Sequence, residues 1–287
     1  MWTLPPPDIT AVDAQLTTAL TYANGASVYV LSAVERAAVF AVYQAYDALL
    51  GQPDPSLLPA ALAACRQHIR DGYDQVQIGG RLKALRASLL TSITVCPYCG
   101  FGEPTELDHY LPKSHYGELA IYPRNLVPSC GPCNNAKRTI VPGAAPGPGL
   151  IHPYFHELRN EVFMRADVGF AAGALEVTFR IEAGTIEAGL AQMLQFQLNR
   201  LKLNERYPRQ INKFLFEQRT AILMFKDEAL TNYFLRSAES LTATFGRNDW
   251  RAALLESLAT NPVFCAAPEA YLGTRAPVQP EGAQVAA

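Results

Sequence analysis

The 287-residue sequence lacks the features of membrane-spanning and secreted proteins. It has no uncharged run of about 20 apolar residues, the length that a helix needs to cross a bilayer, so we expect no membrane-spanning segment. Its first residues, MWTLPPPDIT, lack the basic start and the apolar stretch of a secretion signal. We therefore expect a cytoplasmic protein with no membrane partner.

The sequence also lacks an excess of charge of either sign. Its 24 basic and 26 acidic residues leave a formal net charge of −2. Proteins that bind nucleic acid unaided usually have a stronger basic excess, so such binding would depend on a local patch or on a partner. The segment 200–219 is locally basic, which indicates either contact with a nucleic-acid backbone or an ordinary solvated helix face.

Cysteine is scarce, but four of the six cysteines form two close pairs. Cys96 with Cys99, and Cys130 with Cys133, each have the spacing C-x-x-C, and 30 residues separate the pairs. In a reducing cytosol, such pairs are more often metal ligands than disulfides. Four thiolates suit a tetrahedral Zn²⁺ ion, so the spacing predicts a closed, structural zinc site. The alternative is four unrelated cysteines.

Composition and apolar spacing divide the chain into four regions. These are a helical region at 1–90, a region dense in Cys, Pro, Gly, Asn and His at 91–142, an α+β region at 143–265, and a tail at 266–287 that is predicted to be disordered. Two β-rich runs near 161–168 and 174–182 predict a hairpin, and long helices follow it. The predicted fold is mostly α, with a small α+β insert between helical flanks.

The segment between the cysteine pairs carries side chains that suit phosphodiester hydrolysis. TELDHYLP and YPRNLVPS are predicted as two strands, and CGPCNNAKRTI as the start of a helix. This order would bring Asp108, His109, Asn125 and either Asn134 or Asn135 toward one place. A carboxylate and an amide oxygen are hard ligands of the kind that Mg²⁺ prefers. A neutral histidine can accept a proton from water near pH 7.

Other polar residues lie close to this set in the sequence. Lys137 and Arg138 are predicted to neutralise the charge of a substrate phosphate. His115 is interpreted as a solvated loop residue. His152 either approaches the site and binds phosphate or metal, or caps the segment that follows it.

Together these features resemble the HNH endonuclease family, whose core is a ββα-metal motif that two C-x-x-C knuckles brace in many members. The matching stretches within residues 96–138 are CPYC, LDHYLPKS, RNLVPSC and CNNAK. The resemblance implies that His109 is the general base and that Asn125 orients it. It also implies that Asp108 and Asn134 bind a catalytic divalent ion, usually Mg²⁺. Asn134 stands where the family's name-giving histidine lies, as it does in some active members.

The resemblance further implies an endonuclease that acts on DNA and leaves 5′-phosphate and 3′-hydroxyl ends. The helical flanks and the small net charge indicate a protein partner or a homodimer. An HNH centre with helical extensions is similar to nuclease subunits of bacterial anti-phage systems, some of which pair with an ATPase. The alternatives are a non-catalytic zinc module that binds nucleic acid or protein, and a nuclease directed at RNA.

Overall fold

The structure is a computed structural model that describes residues 3–144, 147–158, 161–171 and 173–272. The helices are α1 Val12–Ala19, α2 Ala33–Ala48, α3 Arg66–Asp71, α4 Lys83–Thr91, α5 Gly131–Lys137, α6 Ala188–Arg200, α7 Leu203–Glu217, α8 Arg219–Met224, α9 Asp227–Phe245, α10 Trp250–Ala259 and α11 Pro262–Ala266. The strands are β1 Glu106–His109, β2 Leu126–Ser129, β3 Met164–Ala171 and β4 Ala174–Ile181. This mostly helical architecture with small two-stranded sheets confirms the predicted fold class.

The chain divides into two compact units. The N-terminal unit combines Met1–Asn160 with Glu187–Leu201, and the C-terminal unit combines Glu161–Ile186 with Lys202–Ala287. The N-terminal unit therefore contains both cysteine pairs, the β1–β2 sheet and α5. It also contains α6, which follows the β3–β4 hairpin in the sequence.

One buried side chain explains why α6 packs in the N-terminal unit. Gln197 is fully buried, and its Oε1 accepts a hydrogen bond from the backbone N–H of Ile151 at 3.1 Å. Its Nε2 donates to the carbonyl oxygen of Tyr98 at 3.0 Å. Leu194 and Leu198 on the same helix are also buried. The domain boundary that composition predicts at residue 143 lies between Tyr98 and Gln197 in the sequence, although these two residues are hydrogen-bonded.

Helix α2 shows how the sequence positions one side of the site. Ser32 caps the helix, because its Oγ accepts from the N–H of Glu35 at 3.2 Å and its own N–H donates to the Glu35 carboxylate at 2.8 Å. Tyr46 follows Val42 by four residues and Tyr43 by three, so the three share one helix face, and all are buried. This face places Tyr46 close to the segment between the cysteine pairs.

The C-terminal unit contains the predicted hairpin and the long helices. Strands β3 and β4 pair in antiparallel register, which confirms the two β-rich runs to within a few residues. On α7, Leu203, Ile211 and Leu215 are buried, so the basic segment 200–219 has the buried apolar face that its spacing predicts. The prediction of a disordered tail at 266–287 is wrong for its first residues, because Pro268–Ala270 forms a 3₁₀ helix. Residues 273–287 lie outside the described part.

None of the helices within the described ranges is both long enough and apolar enough to cross a membrane.

Candidate active site

The four paired cysteines meet at one point of the N-terminal unit. The Sγ atoms of Cys96, Cys99, Cys130 and Cys133 all lie within 4.8 Å of one another, and all four residues are buried. Cys99 Sγ and Cys130 Sγ are 3.8 Å apart. Thiolates about 2.3 Å from a tetrahedral Zn²⁺ ion would be separated by roughly 3.8 Å. The donor set and its spacing therefore fit a structural zinc ion.

The turn of the first knuckle depends on two glycines. Gly100 adopts a left-handed φ of 75° and its N–H donates to the carbonyl of Cys96 at 2.8 Å. Gly102 lies against the sulfur atoms, and its N–H donates to Cys99 Sγ at 3.3 Å. A Cβ at Gly102 would lie only 2.7 Å from Cys130 Sγ, so the approach of this backbone to the cluster requires glycine.

We expect Gly102→Ala to weaken zinc retention, because the added methyl group must displace the Cys130 sulfur. Changes beside metal ligands typically cost about 10- to 100-fold in affinity, so zinc should pass to a competing chelator about tenfold more readily. A colorimetric zinc-release assay measures this. Gly79→Ala is the matched control, since a Cβ there meets nothing within 4 Å. Equal zinc transfer from both variants would contradict the packing argument.

The predicted strand–loop–strand–helix order is present between and beyond the cysteine pairs. Strands β1 and β2 are antiparallel, with Asp108 opposite Val127 and His109 opposite Leu126. Helix α5 begins directly after β2, and its first turn carries the second cysteine pair. The short connection brings the polar residues of α5 beside β1.

An open cleft of about 460 Å³ lies over this ββα arrangement. Four residues implicated by the sequence line it, namely Asp108, His109, Asn134 and Arg138. Asn125 and Lys137 are not among the lining residues, and both are buried. Asn135 is exposed and also lies outside the cleft lining, so the structure brings Asn134 rather than Asn135 to the other three.

The hydrogen bonding of His109 determines which ring nitrogen can act as a base. Its Nε2 lies 2.9 Å from the carbonyl oxygen of Ala120, which can only accept, so Nε2 carries the proton. Nδ1 keeps its lone pair. Burial lowers the pKa of His109 to about 3, the Ala120 hydrogen bond opposes this shift, and the charges of Lys113 and Lys137 add to it. His109 is therefore a neutral imidazole near pH 7.

Asp108 is almost fully buried, and both of its oxygens accept hydrogen bonds. Oδ1 accepts from Lys137 Nζ at 3.0 Å, and Oδ2 accepts from the hydroxyl of Tyr98 at 2.8 Å. Burial raises the pKa of Asp108, and the charge of Lys137 opposes this shift. Tyr98 belongs to the first cysteine knuckle, so the four-cysteine site directly positions this carboxylate. Sequence reasoning missed Tyr98.

Lys137 has a different position from the one that the sequence predicts. It is 1% exposed, and its ammonium group donates to Asp108 and to the carbonyl oxygen of His109 at 2.7 Å. These bonds direct it into the protein and away from the cleft, so it does not reach a substrate phosphate in this structure. It holds strand β1 and neutralises Asp108 instead. Arg138, the next residue, is exposed and lines the cleft.

We expect Lys137→Met to lower the free energy of unfolding by about 3–5 kcal/mol, because it leaves the buried Asp108 carboxylate without a counter-charge. Urea unfolding measures this loss. The double variant with Asp108→Asn removes both charges and should recover part of the stability. If the double variant were as unstable as the sum of the two single changes, the charge-pair explanation would be wrong.

The side chain of Asn125 holds the loop between β1 and β2 by hydrogen bonds to the backbone of that loop. Its Oδ1 accepts from the N–H of Leu111 at 2.8 Å, and its Nδ2 donates to the carbonyls of Leu111 and Leu119 at 3.0 and 3.2 Å. Leu119 precedes Ala120, whose carbonyl accepts from His109. Asn125 therefore lies one peptide away from the group that orients the imidazole, and it does not contact the ring itself.

Tyr46 and His152 extend this network behind the loop. The Tyr46 hydroxyl donates to Asn125 Oδ1 at 3.0 Å and lies 2.9 Å from His152 Nε2. His152 Nδ1 accepts from the N–H of Tyr154 at 3.2 Å, so Nε2 is the protonated nitrogen and donates to Tyr46. His152 is fully buried and does not line the cleft. The interpretation of His152 as a phosphate or metal ligand therefore does not fit its position.

The burial of His152 makes the stability of the protein sensitive to acid. Burial lowers the pKa of His152 well below its ordinary value, and the charges of His156 and Lys137 act in the same direction. The unfolded chain binds a proton at this residue near about pH 6.5, and the folded protein does not. The contribution of His152 to the free energy of unfolding is therefore fully present above about pH 6.5. It decreases as the pH falls below this value, by up to about 1.4 kcal/mol per pH unit.

We expect His152→Gln to reduce the difference in unfolding free energy between about pH 7 and about pH 5. Urea unfolding of wild type and variant at both pH values measures that difference. The control is His115→Gln, because His115 is exposed and its ring contacts only the neighbouring Ser114. A pH dependence that is the same in wild type and both variants would show that His152 does not contribute.

Asn134 and Glu106 complete the polar set in the cleft. Asn134 Nδ2 donates to Glu106 Oε2 at 2.7 Å, which leaves the Asn134 amide oxygen for a cation. Glu106 also lines the cleft, and sequence reasoning missed it although it is the first residue of β1. Each oxygen of Asp108 keeps a second lone pair beside its hydrogen bond. The oxygen donors of Asp108, Asn134 and Glu106 therefore fit a hard divalent ion such as Mg²⁺.

Comparisons with known proteins agree with this geometry. Residues 96–139, which include both cysteine pairs, β1, β2 and α5, match the HNH endonuclease family. Protein ea31 of Escherichia phage lambda is 38% identical over 78 residues, which are 27% of this chain and 25% of that protein. The chain thus spans about a quarter of the length of this relative. No solved structure matches the chain significantly.

Proposed function

We propose that the protein is a metal-dependent HNH endonuclease that hydrolyses phosphodiester bonds in DNA. One observation carries the proposal: Nε2 of His109 is bound to the Ala120 carbonyl, which leaves a neutral Nδ1 in a cleft with Asp108 and Asn134. This combination of a fixed proton acceptor and hard oxygen ligands suits the attack of water on a phosphate ester. The family match over residues 96–139 supports it.

Each residue has a distinct task in the proposed reaction. His109 Nδ1 accepts a proton from the attacking water, and the Ala120 carbonyl keeps the imidazole oriented as it becomes charged. Asp108 and Asn134 would hold the divalent ion, which stabilises the negative charge on the phosphate when it is bound. Arg138 contacts a phosphate at the cleft surface. The four-cysteine site is structural and would hold Zn²⁺.

Incubation of the purified, zinc-loaded protein with matched DNA and RNA substrates tests this proposal. We expect cleavage of DNA with Mg²⁺ or Mn²⁺, no cleavage when neither ion is added, and products with 5′-phosphate ends. Cleavage of RNA alone would replace DNA as the substrate class. No cleavage of either substrate with either ion would overturn the proposal.

One observation favours the alternative of a non-catalytic zinc module. Both Asp108 oxygens are already hydrogen-bonded, to Lys137 and to Tyr98. A module of this kind would bind nucleic acid or protein and would bind no second metal. Metal titration separates the two functions, because the nuclease should bind a divalent ion that Asp108→Asn weakens while its zinc content stays constant. A partner ATPase, a homodimer and an anti-phage role stay predictions from the sequence.

A further inference from the structure

Residues that precede the family match form part of the wall of the cleft. Tyr73 and Gln77 come from the 3₁₀ helix Gly72–Val76 and its end, and Arg86 comes from α4. All three line the cleft together with His109. The helical region before residue 96 thus contributes directly to the site, although the sequence indicates it only as a surface for a partner.

Arg86 is held in place beside strand β1. One nitrogen of its guanidinium group donates to the carbonyl oxygen of Thr105 at 2.7 Å. Its side chain also lies next to the Tyr73 hydroxyl, which donates to the carbonyl of Leu107 at 3.4 Å. The Tyr73 ring packs edge-on against the His109 imidazole with 4.4 Å between centroids. The same small cluster therefore fixes both the arginine and the proposed base.

Among the described residues, the cations of the cleft form no ion pairs, unlike two half-buried arginines of the same unit. Arg86, Lys113 and Arg138 come from three separate segments, and none of them forms an ion pair within the described ranges. Arg66 and Arg124, by contrast, are bound to the carboxylates of Glu118 and Asp47. Burial lowers the pKa of Lys113, and the charges of Asp74 and Asp71 oppose this shift. Arg86 and Arg138 are therefore the cations of this wall that are best suited to bind an anion.

The acidic side chains that line the cleft offset only part of this charge. Asp108 is paired with Lys137, which leaves Glu106 as the acidic residue of the lining whose partner, the neutral amide of Asn134, supplies no counter-charge. The Lys113 ammonium lies 4.3 Å from the centroid of the Tyr73 ring, which places a second cation near Arg86. A guanidinium group has five N–H donors, and the Thr105 carbonyl takes up only part of them.

We propose that Arg86 binds a backbone phosphate of the nucleic-acid substrate, as a phosphate contact in addition to Arg138. Its planar group can donate two hydrogen bonds to one phosphate, and the Thr105 carbonyl fixes its orientation in advance. The proposal rests on the proposed nuclease function and extends the substrate site beyond residues 96–139. It gives the helices before the motif a direct part in substrate binding.

The competing explanation is that Arg86 only ties α4 to the Thr105 carbonyl. Arg86→Gln distinguishes the two, because glutamine keeps an N–H donor for Thr105 but removes the positive charge. Lys83→Gln is the matched control, since it removes a charge from the same helix at an exposed residue outside the cleft. Thermal unfolding of both variants checks that the helix stays packed.

Binding of a fluorescent DNA duplex is measured with zinc-loaded protein in a His109→Ala background without added Mg²⁺ or Mn²⁺, at several salt concentrations. We expect Arg86→Gln to raise Kd about tenfold and to reduce the salt slope by about one, the value for one lost phosphate contact. Lys83→Gln should change neither quantity. The phosphate site is wrong if Arg86→Gln and Lys83→Gln give the same Kd and slope, or if the background protein binds no duplex at all.

Cleavage by the wild-type protein separates this site from the proposed function. If wild type cleaves DNA and Arg86→Gln behaves like Lys83→Gln in both binding and KM, the phosphate site fails while the nuclease function stands. If wild type cleaves nothing but Arg86→Gln weakens binding and reduces the salt slope, the nuclease function fails while the phosphate site stands. A KM about tenfold higher in Arg86→Gln than in wild type would support both.

Discussion

His109→Ala is expected to slow Mg²⁺-dependent cleavage of DNA by about 100- to 10,000-fold, the usual contribution of a positioned general base. The reason is that His109 is the proposed general base: the hydrogen bond from Nε2 to Ala120 leaves Nδ1 with its lone pair, on a residue that lines the cleft. The initial rate of plasmid nicking measures the effect. The zinc content should stay near that of wild type, because His109 is not one of the four cysteine ligands.

His115→Ala is the matched control for this change. His115 lies six residues further along the same loop segment, is exposed, and is not among the residues that line the cleft. Its removal should leave the cleavage rate within about twofold of wild type, as is usual for surface changes away from a site. Equal rates for His109→Ala and wild type would show that another group accepts the proton.

The second large effect is expected from the cysteine cluster. Cys133→Ser should unfold much of the N-terminal unit, because apparent zinc-binding energies of about 10–16 kcal/mol in small zinc domains contribute directly to folding. Cys133 is the second cysteine of the second knuckle and lies on α5, so its loss releases the helix that carries Lys137. Circular dichroism and zinc content measure the change, and chelation of wild type should reproduce it.

Cys65→Ser is the control for the loss of a buried thiol as such. Cys65 is fully buried in the same unit, and its thiol donates only to the carbonyl of Leu62 at 3.5 Å. Serine can make the same hydrogen bond, so the cost should be about 1 kcal/mol. A Cys133→Ser protein that kept one zinc ion and the wild-type unfolding midpoint would contradict the structural role of the cluster.

Local spacing was sufficient to predict the metal cluster and the ββα order. Two C-x-x-C pairs, an Asp-His pair and two asparagines follow one another in a fixed order, and each signal depends on residues that are neighbours in the sequence. Lys137 shows how a local signal was overlooked. It follows Cys133 by four residues, so both lie on the same face of α5, which is the buried face. That spacing indicates burial against β1 rather than contact with substrate.

Other parts of the site have no local signal. Tyr46 bonds to Asn125 across 79 residues, and Gln197 bonds to Tyr98 across 99 residues. Arg86 is an ordinary helix residue in the sequence, and only the bond to Thr105 places it on the cleft. These contacts depend on tertiary packing, which neither the helical spacing of apolar residues nor the cysteine pattern determines.

Cleavage of supercoiled plasmid DNA by zinc-loaded wild type and zinc-loaded His109→Ala, each with and without added Mg²⁺, is the most direct test of the proposed nuclease centre. We predict nicked and linear products from wild type with Mg²⁺, and intact plasmid in the other three reactions. Equal cleavage by wild type and His109→Ala, or equal cleavage by wild type with and without added Mg²⁺, would contradict the assignment of His109 as the base in a metal-dependent site.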